Sequence, residues 1–322
     1  MSNISKKVSV VMSVFNYKEY IDDSIGSILD QTLKDFEFII IDDGCSYDLL
    51  KIIKKFGDDR IVYIKNPENI GLTRSLIKGI GISKGKYIAR QDAGNISLEN
   101  RLKIQYNFLE NNIRYFLIGS SVELIDEDDN TICKIIANDD PDYIRKKMPS
   151  SNYINHSTVM FRNNGEAGYR EKFKYSQDYD LYLNLLSKKY VLGNMEEVLL
   201  RERVIPSSIT YSRKNEQEFF RNKARQFYFE RRKSGKDSYD LLDESINTGK
   251  TEQPKSQKDG ISFYEKQKIY YLLFSGRTAK ARRQILKFLK TKFNFKLFIY
   301  LAVSFFPFMI KIRNRLKGLH YG

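Results

Sequence analysis

Tryptophan is absent from this chain, and 322 residues hold only two cysteines, two histidines and six prolines. Cys45 and Cys133 lack C-x-x-C spacing, which excludes a disulfide framework and a cysteine zinc site and reads as two reduced thiols. His156 and His320 alone cannot build a histidine-rich zinc centre. No glycine occurs in Ser13–Asn16, the loop after the first strand-like run. The G-x-G-x-x-G fingerprint is therefore missing where a dinucleotide would need it, and no G-x-x-x-x-G-K-[ST] loop occurs. The opening MSNISKKVSVVMSVF has no extended apolar stretch and no small-residue cleavage site, so no signal peptide is expected and the chain is placed on the cytoplasmic side. Dehydrogenase, P-loop and zinc-hydrolase chemistries fall away. What is present, 41% hydrophobic and 13% aromatic residues, suffices for a globular core.

The net charge of +15 is concentrated at one end. Residues 1–212 carry 29 Lys/Arg against 30 Asp/Glu, whereas residues 213–322 carry 26 against 10, with no acid after Glu265. Such asymmetry points to a polyanionic partner, nucleic acid or an anionic membrane surface. Within this tail Leu297–Ile310 (LFIYLAVSFFPFMI) holds no charge and is flanked by Lys296, Lys311, Arg313, Arg315 and Lys317. As a helix its 14 residues would extend about 21 Å, short of a bilayer core of about 30 Å. Spanning is disfavoured. A peripheral anchor at the inner face of the cell membrane is favoured over nucleic acid, with an ordinary buried helix as the plain alternative and a break expected at Pro307.

The first two thirds alternates strand and helix signals, as in an α/β fold. Val8–Val14 is a β-branched run suited to burial on both faces. Asn16 is expected to cap the next helix, with Glu19 at the capping-box position and a stripe of Ile21, Ile25, Ile28 and Leu29. Strands are expected at 36–41, 61–64, 87–90, 116–120, 158–161 and 198–204, and helices at 72–82, 98–110 and 178–188. Beyond residue 212 the pattern turns helical, with a polar linker at 247–260. Several strands deliver carboxylates at their carboxyl ends, where open α/β sheets bind ligands: Asp42 and Asp43, then Asp92. Asp178 and Asp180 follow later. Taken singly, each acid is as well explained as a cap or turn residue. Together, hard oxygen ligands of this kind suit Mg²⁺ or Mn²⁺ bridging to substrate phosphates, which implies a nucleotide diphosphate donor, and a separate carboxylate suits a general base.

Ordered motifs over residues 7–212 resemble an inverting family-2 glycosyltransferase of the GT-A fold. They are Ser13-Val14-Phe15-Asn16, Ser27–Thr32 (SILDQT), Phe36–Gly44 followed by Cys45, Glu68–Leu72, Gly85–Arg90 leading into Asp92, Ser97–Leu102, Gly168–Glu171 and Gln177–Leu181. The resemblance implies a Rossmann-like mixed sheet flanked by helices, followed by a helical basic extension. It places Ser13, Phe15, Asp42 and Asp43 at the nucleotide, Asp92 at the diphosphate and metal, and Asp178 as the base that deprotonates the acceptor hydroxyl. Arg74 and Arg90 are further candidates for phosphate contact.

One departure bears on the metal. The family's usual D-A-D-D reads here Asp92-Ala93-Gly94-Asn95, so the Mg²⁺ or Mn²⁺ site is reduced to Asp92 and Asn95, whose carbonyl oxygen can still ligate. The resemblance implies a hexosyltransferase-like enzyme taking a nucleotide-sugar, a UDP-sugar first among donors, to a glycan acceptor that the membrane tail suggests is lipid-linked, in surface polysaccharide or glycan synthesis. Its expected domains are 1–212 (glycosyltransferase), 213–284 (helical extension) and 285–322 (membrane-surface segment). A weakly active homologue serving as partner subunit in a glycan-assembly complex and a nucleic-acid binder remain as alternatives. His156 reads first as a polar loop residue and second as one facing the acceptor, and Arg201, Glu202 and Arg203 equally close over the diphosphate or form a solvated ion pair.

Overall fold

A computed structural model describes residues 6–205, 213–243, 257–290, 294–310, 314 and 320–321. The strands are β1 (Lys6–Val14), β2 (Phe36–Asp42), β3 (Ile61–Lys65), β4 (Gly85–Arg90), β5 (Ile96–Ser97), β6 (Tyr115–Ile125), β7 (Thr131–Ile136), β8 (Met160–Arg162), β9 (Val191–Arg203) and β10 (His320–Tyr321). The helices are α1 (Ile21–Leu29), α2 (Leu49–Lys54), α3 (Leu72–Gly81), α4 (Arg101–Asn111), α5 (Pro141–Lys147), α6 (Gln177–Ser187), α7 (Lys214–Ser234), α8 (Gln257–Phe274), α9 (Thr278–Leu289) and α10 (Phe295–Val303). The chain forms two compact units. The first joins Met1–Ser121, Ala137–Glu202 and Asn215–Gly249, and the second joins Val122–Ile136, Arg203–Lys214 and Lys250–Gly322.

In the first unit β1 lies parallel between β2 and β4, and β3 extends the parallel set beyond β2. β8 pairs antiparallel with β4 and with β6, so the sheet is mixed. The β-branched run of β1 is buried on both faces, as its composition requires. Val8, Val10, Met12 and Val14 pack with Ile21, Ile25 and Ile28 of α1, while Val11 packs with Leu76 of α3 on the opposite face. Helices thus cover both sides. A Cβ added to Gly79 of α3 would lie 2.6 Å from Val11 Cγ1, so α3 seats closely on the sheet because residue 79 has no side chain. The parallel strands run in register, Val14 opposite Asp42 and Val11 opposite Arg90, which brings the acids after β2 and β4 to the same edge.

Two local expectations are corrected. Asn16 does not cap a helix: it adopts a positive φ of 54°, and its Oδ1 accepts from Ser46 N and Oγ, both at 2.8 Å. The chain instead makes a 3-10 turn at Lys18–Tyr20 before α1, whose first residues have no side-chain cap. The polar segment at 247–260 is in part helical, because α8 already begins at Gln257, and the rest of that segment lies outside the described residues. β7 and α5 fall in a stretch where no element was expected.

In the second unit α8, α9 and α10 share a small core of Ile269, Ile285, Phe288 and Leu297. Lys268 bridges to Asp126 at 3.0 Å, and Tyr264 OH donates to Glu127 at 2.7 Å. After α10 the helix breaks at 304–306, just before Pro307, as its ring demands. Between 294 and 310 only Leu297, Ser304 and Ile310 are buried; Phe295, Phe298, Phe305, Phe306, Phe308 and Met309 stand 45–71% exposed. Among the described residues no helix is long and apolar enough to cross a membrane.

Candidate active site

The two acids at the carboxyl end of β2, Asp42 its last residue and Asp43 the next, organise the loops around them. Asp43 is buried, and its Oδ1 accepts from Asn66 Nδ2 and Ile70 N, both at 2.9 Å, while Oδ2 accepts from Gly71 N at 3.0 Å. It thereby holds the Glu68–Leu72 motif that leads into α3. Asp42 accepts from Cys45 N at 2.8 Å and from Tyr63 OH at 2.7 Å. Gly44, at φ +79°, passes so close that an added Cβ would lie 2.7 Å from Asn69 N. Phe15 is 48% exposed and Ser13 half-buried at the end of β1. Burial, the largest cause, pushes the Cys45 thiol up to about 11, so it is no nucleophile at neutral pH.

The acid after β4 sits on a buried cation. Arg90 is fully buried; its Nη1 donates to Val11 O at 2.8 Å and Gln91 O at 3.0 Å, and its Nη2 pairs with one oxygen of Asp92. The other Asp92 oxygen accepts from Ser157 Oγ. Burial alone would raise the Asp92 pKa, but the charge of Arg90, with the Ser157 hydroxyl, outweighs it and holds the carboxyl below its usual range. A second buried arginine fastens this turn from behind. Arg101 of α4 donates to Arg90 O at 2.6 Å, Ser97 Oγ at 2.8 Å and Gln91 Oε1 at 3.0 Å, and Gln105 reaches Thr158 O at 2.7 Å. Burial, then the charge of Arg90, pushes Arg101 down to about 9.

The base candidate enters from α6. Ser176 takes a left-handed φ of 53°, and Asp178 follows in the first helical turn, accepting from Asn152 Nδ2 at 2.9 Å. Burial raises its pKa and the negative charge of Asp92 adds to that, while backbone N–H groups of the helix start and Asn152 oppose. Nearby, a 2.6 Å hydrogen bond joins the Tyr169 hydroxyl and His156 Nε2, and Tyr169 feels the charge of both Asp92 and Asp178. Burial, followed by the charge of Arg90, pushes His156 down to about 3, so the imidazole is neutral and offers no cation. Asp180, by contrast, is engaged in a packed network: Arg170 Nε donates to it at 2.7 Å, and the guanidinium lies over Phe173, Phe227 and Tyr239.

The structure therefore brings Asp92 and Asp178 into one electrostatic neighbourhood. Glu202, at the end of β9, joins them: burial, partly offset by Asn155, and then Asp92 push it up to about 7. Arg203 turns instead to Asp129 at 2.8 Å. Arg74 lies at the surface of α3, paired with Glu171 at 2.7 Å. Ser157, Asn152 and Arg101 were missed in the sequence, where nothing distinguishes a polar loop residue or a helix arginine that ends up buried.

The divalent-metal expectation on Asp92 and Asn95 does not fit the donor set. Position 94 supplies no side chain and Asn95 is only 5% exposed, which leaves the turn a single accessible carboxylate, Asp92, already paired with Arg90. Among the described residues no group of three or more His, Cys, Asp or Glu could hold a metal ion. A small hard cation needs several oxygen ligands.

Comparison with known proteins agrees with this architecture. The model of the family described as "Glycosyl transferase family 2" matches residues 9–173. An uncharacterized glycosyltransferase of Methanocaldococcus jannaschii is 38% identical over 205 residues, covering 61% of this chain and 70% of that protein. The UDP-Glc:alpha-D-GlcNAc-diphosphoundecaprenol beta-1,3-glucosyltransferase WfaP of Escherichia coli is 30% identical over 203 residues, covering 63% of this chain and 79% of the relative. In shape the chain is similar to S. aureus TarS 1-349 in complex with UDP-GlcNAc, with a TM-score of 0.54, 13% identity, and coverage of 86% of this chain and 88% of that one. It spans about half, 53%, of the longer TarS chain. With the family model covering more than half of its residues, the chain belongs to glycosyl transferase family 2 and is a glycosyltransferase of the GT-A fold.

Proposed function

We propose that this enzyme transfers a sugar from a UDP-sugar to a lipid-linked glycan acceptor with inversion at the anomeric carbon, in the synthesis of a surface polysaccharide or glycan. The observation that carries the reading is the opposite treatment of two neighbouring acids. Asp92 is held ionised by Arg90, and Asp178 is made more basic than an ordinary carboxylate. Groups pushed apart in this way divide the labour of a reaction. Asp178 takes the proton of an acceptor hydroxyl, whose oxygen forms the bond to the anomeric carbon as the bond from that carbon to the nucleotide diphosphate breaks. The diphosphate leaves with the electron pair.

Asp43 and Asp42, with Ser13 and the open ring of Phe15, form the nucleotide end of the site in this reading. The TarS neighbour is in complex with UDP-GlcNAc, and WfaP is named for a UDP-sugar donor and a diphosphoundecaprenol-linked acceptor, which supports the same classes here. An acceptor of that kind lies in a membrane. The exposed phenylalanines around Pro307, in a tail with no acid after Glu265, suit peripheral attachment to an anionic surface at the cytoplasmic face.

A thermal-shift panel with UDP, GDP, CDP and dTDP tests the donor class, because a ligand that binds only the folded state raises its stability. The expected result is a shift with UDP that disappears in Asp43→Ala. No shift with any nucleotide, in folded protein, contradicts the enzyme reading and favours a partner-subunit role.

A further inference from the structure

Gly94 is more than a missing carboxylate. Its φ is +94°, a region that L side chains rarely adopt, and a Cβ built on it would lie 2.5 Å from Cε1 and 3.0 Å from Cδ1 of Tyr17. The turn is pinned on its other sides. Gly94 N donates to Ser24 Oγ at 2.8 Å, Asn95 N to Asp92 O at 3.2 Å, and Gln91 Nε2 to Asn95 O at 2.7 Å. The tyrosine ring thus fills the direction in which a side chain at 94 would project. Tyr17 is itself half-buried and packs against the cluster that includes Ile21 and Ile25, so the ring is not a freely moving cover.

From this geometry we infer that the enzyme binds its donor diphosphate without a divalent cation, Tyr17 occupying the space that a metal-binding side chain at position 94 would need. The inference rests on the nucleotide-sugar reading above and concerns how that ligand is held. The remaining acid is poorly suited to retain a metal, since Asp92 is a lone carboxylate whose charge is already matched by the Arg90 guanidinium, with Ser157 on its other oxygen, and a hard cation needs several oxygen ligands. The need for a metal is also reduced. Two unpaired carboxylates facing a diphosphate repel it unless a cation lies between them. Here one carboxylate has been replaced by glycine, and the charge of the other is matched by a buried arginine. The turn therefore meets the diphosphate with little net charge. Gly94 N–H is taken by Ser24, so the contribution of the turn is shape and neutrality.

Calorimetric titration of UDP into the full chain, once in EDTA and once in excess Mn²⁺, tests this directly. The expected affinities agree within about twofold, and a manganese spectrum recorded by electron paramagnetic resonance is unchanged by the protein. A UDP affinity at least tenfold weaker in EDTA overturns the inference while leaving the nucleotide-sugar reading intact. Absence of UDP binding in both conditions overturns both. The double substitution Tyr17→Ser with Gly94→Asp is expected to make UDP binding Mn²⁺-dependent, and Gly94→Asp alone to lower the melting temperature because of its φ and the ring. A folded double variant indifferent to Mn²⁺ overturns the role given to Tyr17.

Discussion

At the scale of single residues, the site is built from charges that decide one another's state. Arg90 is buried with its charge matched by Asp92, and removing one partner of such a pair leaves the other uncompensated. Arg90→Met is expected to cost about 3 kcal/mol in urea unfolding, since it leaves Asp92 without its cation and Val11 O keeps only the Gln91 N–H of its two donors. Glu202 gives a prediction of opposite sign. Its folded pKa of about 7 lies above the ordinary 4.5, so between those values the folded state holds a proton that the unfolded chain has lost. Stability from this group is therefore lost as pH rises through that window. Glu202→Gln should raise the unfolding free energy more at pH 8 than at pH 5, by at most about 3 kcal/mol. An equal change at both values would contradict a Glu202 carboxyl that titrates at about 7 in the folded state. The acids themselves were legible in the sequence because strand ends and family motifs mark Asp43, Asp92 and Asp178. Their partners were not. Ser157 stands 65 positions from Asp92, and no local pattern announces a hydrogen bond made across the sheet.

Elements bring these residues together through close seating. The parallel run of β1, β2 and β4 could be read from its continuous apolar stretches, and it fixes which acids share an edge. The Asn16 turn shows the limit of such reading: a residue with strong capping preference is claimed instead by Ser46, 30 positions away, once the loop has folded. Residues 121–157 were equally opaque, because polar residues interrupt β7 and α5 too often for either period to stand out. The fit of α3 on β1 depends on Gly79. Gly79→Ala places a methyl against Val11 and should cost about 1–3 kcal/mol by overpacking. Combining it with Val11→Ala should recover part of that loss in a double-mutant cycle. Strict additivity would mean that the two residues do not meet.

For the whole molecule, the charge asymmetry and the exposed apolar segment are two descriptions of one tail. A sequence places fourteen uncharged residues beside many cations without saying whether they are buried. Most of them are exposed, which disfavours the buried-helix alternative and is the basis for the attachment proposed above. Replacing Phe305, Phe306 and Phe308 by serine should abolish sedimentation with anionic liposomes and leave the UDP-induced thermal shift unchanged. Sedimentation that survives would contradict these three rings as the anchor. The account stands or falls, however, on the acid that begins α6. The decisive measurement compares wild type with Asp178→Asn for release of UDP from UDP-glucose and UDP-GlcNAc, using diphosphoundecaprenol-linked GlcNAc as acceptor, alongside UDP affinity. The predicted result is a turnover lower by about 10²–10⁴-fold with UDP binding unchanged, whereas an Asp178→Asn enzyme that transfers at the wild-type rate would contradict the assignment of Asp178 as the base.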